Sequence, residues 1–405
     1  MKGFRRALVY VEGEGLQRRN ILFDERIADT DASEETEAEW LDLPEDALVL
    51  PGFIDLHIHG AAGADLRDDD AFGAIRMMAE YLPSEGVTSF LATEAQQSEK
   101  RMISVVLAAE KYREENRKTG ARLLGVHLEG PFVNGRYCGG LLPEALQKIQ
   151  PESVKKYMET PGSAVRLVTL APETEGAGEL IRYLRGRGIV VSLGHTDAKF
   201  SDMVEAVRAG ATNVTHVFNA QSPLHHREIG AAGGALLLDE LYCEVIADTI
   251  HVSVPAMKLL VKCKPKDKII LISDAICFKG WKDEGTFMAD GKKISVCNGA
   301  ARMEDGRLAG SILRMNRAIR NMTEKVGVPL LQAVDYASAN PAKSLGIYEM
   351  MGSIRTGKYA DFAVVDSRLS VFYTIRGGEI VYNRCNGSCP PKNKERIYEK
   401  TGERN

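Results

Sequence analysis

Residues 51–60 read Pro51-Gly52-Phe53-Ile54-Asp55-Leu56-His57-Ile58-His59-Gly60. An apolar run that closes on two histidines two positions apart describes a buried strand with both imidazoles on one face, because side chains alternate with period two along a strand. Taken as Val49–His59, it is the first of eight short apolar segments, followed by Val87–Ala92, Leu123–Glu129, Val165–Leu170, Ile189–Leu193, Asn213–Phe218, Tyr242–Ala247 and Lys268–Ser273. Most are rich in β-branched residues or leucine, the composition of strands covered on both faces. The stretches between them carry helical periodicity. In Met102–Tyr112, Ile103, Val106, Leu107 and Ala108 fall on one side while Glu110 and Lys111 stay polar, and Met203–Val207 and Ile312–Met322 read similarly. Eight strand–helix alternations over about 290 residues predict an α/β fold, a (β/α)8 TIM barrel, in preference to an open sheet.

The flanks read differently. Ala7–Val11 and Ile21–Ile27 are strand-like and lead into an acidic, loop-like stretch, Asp29–Glu45. Gly357–Val365, Val371–Ile375 and Glu379–Tyr382 are strand-like too, with a turn at Gly377-Gly378. Residues 1–48 and 346–383 are therefore expected to form one small β-sandwich built from both termini, beside a barrel over 49–345. Residues 384–405, with a Pro-Pro pair and dense alternating charge, are expected to be a surface appendage.

The 405 residues are 44% hydrophobic and 27% charged, with net charge -4 and pI near 6.1, so nucleic acid is disfavoured as a ligand. Seven scattered cysteines argue against a disulfide framework and for a reducing cytoplasm. The apolar stretch Ala7–Val11 is too short for a signal-peptide core, and no window approaches the ~20 apolar residues of a membrane span.

The residues with chemistry to offer fall at one end of their segments. His57 and His59 close the first, Glu129 the third, His195 follows the fifth, His216 ends the sixth and Asp274 follows the eighth. Barrel active sites gather at the C-terminal ends of the strands, so these residues are expected to converge on one mouth. Imidazoles with a carboxylate suit Zn²⁺ or Fe²⁺ and leave a coordination position for water. The segment Arg166–Leu170 holds no lysine that could be carbamylated, which leaves Glu129 to hold the metal. Asp274 is then the proton shuttle, since a nearby carboxylate can take the proton of a water acidified by a metal. His127 shares a face with Glu129 but lies deeper, and is expected to be a structural histidine.

Six ordered blocks make the reading specific: Pro51–Gly60, Val126–Asn134 (VHLEGPFVN), Ser192–Ala198 (SLGHTDA), Thr215–Glu228 (THVFNAQSPLHHRE), Ser273–Ala275 (SDA) and Leu308–Ser311 (LAGS). In order and spacing the chain resembles the N-acetylglucosamine-6-phosphate deacetylase family of the amidohydrolase superfamily, from about residue 50 to residue 345. The resemblance implies hydrolysis of the 2-acetamido group of a phosphorylated amino sugar, with Glu129, His195 and His216 on the principal metal and Asp274 as acid and base. It also implies one or two ions per subunit, the His57/His59 pair serving the second, and a homodimer. Substrate binding falls by resemblance to Asn219, Ala220, Arg227 and His251, with Leu308, Ala309 and Gly310 near the ligand. Arg227 offers a phosphate a bidentate partner.

The chain departs from the family pattern at Cys138-Gly139-Gly140-Leu141-Leu142, where a polar residue usually meets the substrate amide near Gly140 and Leu141. Gln221, Ile229 and Ile276 also stand where methionine, proline and methionine are commoner. These departures leave N-acetylgalactosamine 6-phosphate open as an alternative substrate. A catalytically silent metal-binding barrel is the alternative of a different class. Retention of Asp274 argues against it, because a silent barrel has no need of a general base beside its metal.

Overall fold

The computed structural model describes residues 1–95, 98–115, 117–139, 146, 148, 149, 164–289 and 292–386. Eight parallel strands, β1 (Phe53–Ile58), β2 (Val87–Ala95), β3 (Arg122–Glu129), β4 (Val165–Leu170), β5 (Val190–Leu193), β6 (Asn213–Val214), β7 (Tyr242–Ile246) and β8 (Ile269–Ile272), hydrogen-bond in sequence order. The ring closes just beyond the strand ends. Asp274 N–H donates to the His57 carbonyl (2.8 Å) and His59 N–H to the Ala275 carbonyl (2.8 Å). Helices cover the outside, among them Ala71–Tyr81, Glu99–Glu114, Ala177–Gly186, Phe200–Ala209 and Val254–Cys263. The fold is a (β/α)8 barrel, and its strands are buried on both faces because side chains fill the bore and helices cover the outside.

The expected strand Val49–His59 is two strands. Leu48–Pro51 pairs with Lys2–Val11 and Phe362–Val365 in a separate eight-stranded sheet, and the chain crosses into the barrel at Gly52. A Cβ at Gly52 would lie 2.2 Å from Thr88 Oγ1, so the crossing is possible only without a side chain. That second sheet, the small sandwich, encloses its own core, in which the rings of Phe4, Phe23 and Phe362 meet with centroids 5.0–5.3 Å apart. The acidic stretch expected to be a loop contributes one short strand, Glu39–Leu41, beside Lys2–Phe4.

Two further differences bear on the site. The sixth strand is only Asn213–Val214, because the chain leaves extended geometry at once: His216, Phe218 and Ala220 have φ of 32°, 77° and 50°. Between β8 and the next helix, an antiparallel four-stranded sheet rises over the barrel mouth, formed by Gly285–Ala289, Lys292–Cys297, Ala300–Met303 and Leu308–Ser311. Only its last strand is singled out in the sequence. Beyond Asn386 the expected terminal appendage lies outside the described residues.

Candidate metal centre

The barrel carries its polar side chains in layers. His127, inward on β3, is fully buried, and its Nε2 lies 2.8 Å from Thr169 Oγ1 in a hydroxyl network that continues to Thr215 (2.8 Å) and Ser192 (2.6 Å). Burial first, and then the neighbouring His57 imidazole, holds its imidazole well below the usual histidine range. It supports the His57 ring edge to face at 4.6 Å and contributes no metal ligand, in keeping with its depth on the strand.

Above that layer, Glu129 lies between two pairs of imidazoles. Its Oε1 is 3.0 Å from His195 Nε2 and 3.1 Å from His216 Nε2, and these two nitrogens are 3.1 Å apart. Its Oε2 lies 3.4 Å from His59 Nε2, while His57 Nε2 is 3.3 Å from Oε1 and 3.2 Å from His59 Nε2. Two triads result, His57/His59/Glu129 and Glu129/His195/His216, each with donor atoms within 4.8 Å of one another.

Backbone carbonyls fix which nitrogen faces inward. Nδ1–H donates to the Thr93 carbonyl from His59 (3.1 Å), to the Tyr137 carbonyl from His195 (2.9 Å) and to the Asn219 carbonyl from His216 (3.2 Å). A carbonyl only accepts, so each neutral ring must turn an Nε2 lone pair toward the centre. Lone pairs facing one another and a carboxylate at these distances suit a cation held between them. Ligands about 2.0–2.1 Å from a tetrahedral zinc lie roughly 3.3 Å apart, close to the spacings found here. The donor set therefore fits a divalent metal. Glu129 is buried, which would raise its pKa, yet the neighbouring imidazoles, His57 foremost, hold it well below the carboxylate range.

Asp274 leaves β8 in a left-handed conformation (φ 48°), as His195 leaves β5 (φ 50°). Its Oδ1 lies 3.1 Å from His59 Nε2 and 3.3 Å from His57 Nε2. Burial works against its charge, but the neighbouring imidazoles of His57 and His59 bring its pKa down to about 2, so its carboxylate is ionised at neutral pH. Asp55 holds the backbone around it, accepting from His57 N–H (3.3 Å) and Ser273 N–H (3.2 Å).

Asn219 and Ala220 belong to the same mouth, through the Asn219 carbonyl on His216 and an Ala220 Cβ that would meet a Gly139 Cβ at 3.9 Å. His251 donates from Nδ1 to Asp248 Oδ2 (2.6 Å). Although burial opposes its charge, Asp248 raises its pKa, which favours an imidazolium. Leu308–Ser311 passes beside Asp274: Ser311 N–H donates to the Asp274 carbonyl (2.8 Å), and a Cβ on Gly310 would crowd Ile276 at 2.7 Å. Ala309 packs with the small cluster beneath that sheet. Arg227 is exposed, and its guanidinium bonds to His226 Nε2 (2.8 Å). Gly140 and Leu141 lie outside the described residues. Of the unusual residues, Gln221 braces the strained loop, accepting from Phe218 N–H (3.2 Å) and donating to the Thr215 carbonyl (2.9 Å), and Ile229 packs over Gly233.

Sequence reasoning missed Glu244, which is fully buried on β7 with Oε2 3.8 Å from His57 Nδ1. An acid inside the apolar strand Tyr242–Ile246 was the available signal. It also missed Thr93, whose carbonyl orients His59 and whose hydroxyl accepts from Ile58 N–H (2.9 Å).

A barrel with imidazole–carboxylate triads and an ionised aspartate at the C-terminal ends of its strands defines the class of metal-dependent hydrolases. Comparison with known proteins takes this further. The pattern of the Amidohydrolase family matches residues 48–388. N-acetylglucosamine-6-phosphate deacetylase of Bacillus subtilis (strain 168) is 41% identical over 355 residues, covering 87% of this chain and 89% of its own. N-acetylgalactosamine-6-phosphate deacetylase of Escherichia coli O157:H7 is 36% identical over 327 residues, covering 80% of this chain and 85% of its own. The crystal structure of N-acetylglucosamine-6-phosphate deacetylase from Pasteurella multocida superimposes with a TM-score of 0.88 at 28% identity, covering 94% of this chain and all of that one. The chain belongs to the amidohydrolase family and, within it, to the N-acetylglucosamine-6-phosphate deacetylases.

Proposed function

We propose that this protein hydrolyses N-acetylglucosamine 6-phosphate to glucosamine 6-phosphate and acetate. The observation that carries the reading is Asp274 Oδ1, held 3.1 Å from His59 Nε2 at the edge of the two triads. In that place an ionised carboxylate takes a proton from the water that attacks the acetamide carbon. It returns the proton to the sugar nitrogen as the C–N bond breaks, and acetate and the free amine leave. A divalent ion in the triads acidifies the attacking water and polarises the carbonyl when bound. The imidazole-rich donor set favours zinc or ferrous iron. Glu129 belongs to both triads, which gives room for one or two ions.

Asn219, Ala220 and Leu308–Gly310 border the sugar in this reading, with Gly140 and Leu141 toward the amide. His251 meets the phosphate as an imidazolium. Arg227 has no bond to the mouth of its own chain among the described residues, and in a homodimer its exposed guanidinium would serve the partner's substrate. No helix among the described residues is long and apolar enough to cross a membrane, and a cytoplasmic enzyme fits cysteines that form no disulfide among the described residues.

The test is acetate release from the two N-acetylhexosamine 6-phosphates, with metal content measured on the same sample. Turnover of the glucosamine epimer with bound metal is expected. The galactosamine epimer is the second reading, favoured by the 36% identical Escherichia coli O157:H7 relative, and a preference for it would replace the first. Bound metal without turnover of either would favour a silent barrel.

A further inference from the structure

At the opposite end of the barrel, a cavity of about 340 Å³ opens between the strand starts and the sandwich. Six cations line it: Arg113, Arg117, Lys118, Arg122, Arg166 and Arg376, against a single lining carboxylate, Glu25. Arg122 opens the strand that Glu129 closes, and at about 3.3 Å per residue the two are roughly 20 Å apart.

Two of these charges are internally engaged. Arg122 bonds Asp361 (2.7 Å) and stacks on Tyr359, and Arg117 bonds Glu115 (2.7 Å). Arg376 is 8% exposed and donates to the Arg117 carbonyl, a neutral partner. Arg113, Lys118 and Arg166 form no ion pair among the described residues, and the Arg166 stem packs against Gly125. Burial, followed by the charge of Arg113 on Arg166 and of Arg122 on Arg376, lowers the pKa of both guanidiniums. Cations gathered in a recess against mutual repulsion, with planar donor forks left over, form a receptor for a compact multivalent oxyanion. The cavity volume lies in the range of small-ligand pockets, and its place between two structural units is one where such pockets occur.

We propose that this basic cleft binds a small phosphate-bearing anion at a site separate from the catalytic mouth. A free phosphomonoester and the headgroup of a lipid share that chemistry. The recess favours the free anion, because a membrane surface would not enter it.

Calorimetric titration of inorganic phosphate into the metal-loaded protein, with and without Arg113→Gln/Arg166→Gln, tests the proposal. In about 0.15 M chloride, where diffuse surface charge is largely screened, the wild type should show a phosphate site that the double variant binds at least about tenfold more weakly. Deacetylation in phosphate-free buffer should be the same for both proteins. Identical isotherms, or phosphate binding in the wild type that vanishes at this salt, overturn the proposal. Should the double variant fail to fold, Arg113→Gln alone removes one exposed fork and should still weaken binding severalfold; no change there overturns it equally. In a second arm, vesicles of phosphatidylcholine with phosphatidylserine should not sediment the protein. Sedimentation without phosphate binding would also overturn the free-anion site.

Discussion

In the proposed reaction Asp274 is the base; its neighbours keep it charged where burial would neutralise it, and an amide in its place keeps the shape without the proton chemistry. Asp274→Asn should retain metal and fold while kcat falls by roughly 10²–10⁴-fold. Near-normal turnover in a metal-loaded variant would contradict the assignment. Glu94, at the end of β2, shows the opposite balance. Neither of its oxygens has a hydrogen-bond partner among the described residues, and burial pushes its carboxyl up to about 8 although Arg101 and Arg67 pull the other way. The native state then holds a proton that the unfolded chain releases near the ordinary glutamate value of 4.5. Stability from this group is present below that pH, falls as pH rises toward 8 by up to about 1.4 kcal/mol per pH unit, and is flat above. Glu94→Gln should remove that slope. Urea unfolding at several pH values would show it, and parallel profiles for the two proteins would exclude it.

At the scale of elements, the site is made where strands stop. Left-handed residues at His195, His216 and Asp274 end β5, β6 and β8 abruptly and aim the side chains across the mouth, at a backbone cost of about 1–3 kcal/mol each that the packed barrel offsets. Strand identity and the end on which the ligands gather were legible in the sequence, because buried parallel strands are continuous apolar runs and the histidines close them. The orienting groups were not. The carbonyls of Thr93, Tyr137 and Asn219 have no side-chain signature, and Glu244 is an acid whose partner lies on another strand. The sheet over 285–311 was hidden by short strands bearing Lys293 and Arg302, which break the apolar pattern. The split at Gly52 was hidden by apolar residues on both sides. Gly52→Ala should therefore destabilise the protein by about 1–3 kcal/mol, since the new methyl meets Thr88. An unchanged urea midpoint would show that Thr88 can yield.

For the molecule as a whole, the centre ties β1, β3, β5, β6 and β8 together, so a metal that binds only the folded state should add stability by mass action. Chelation should lower the melting temperature by several degrees, given that ~1 kcal/mol moves it by some degrees in a domain of this kind, and zinc should restore it. Replacing His57 and His59 together by Asn removes one triad and leaves Glu129, His195 and His216. The metal content of that variant should fall but not vanish, and retention of the wild-type content would argue against a second ion at the pair. The most direct measurement is acetate released from N-acetylglucosamine 6-phosphate by the purified protein as loaded, after chelation, and after reloading with zinc or ferrous iron. The reading predicts one acetate for each glucosamine 6-phosphate formed, loss on chelation and recovery on reloading. Undiminished acetate release from the metal-free protein, or none from the loaded and folded one, would contradict it.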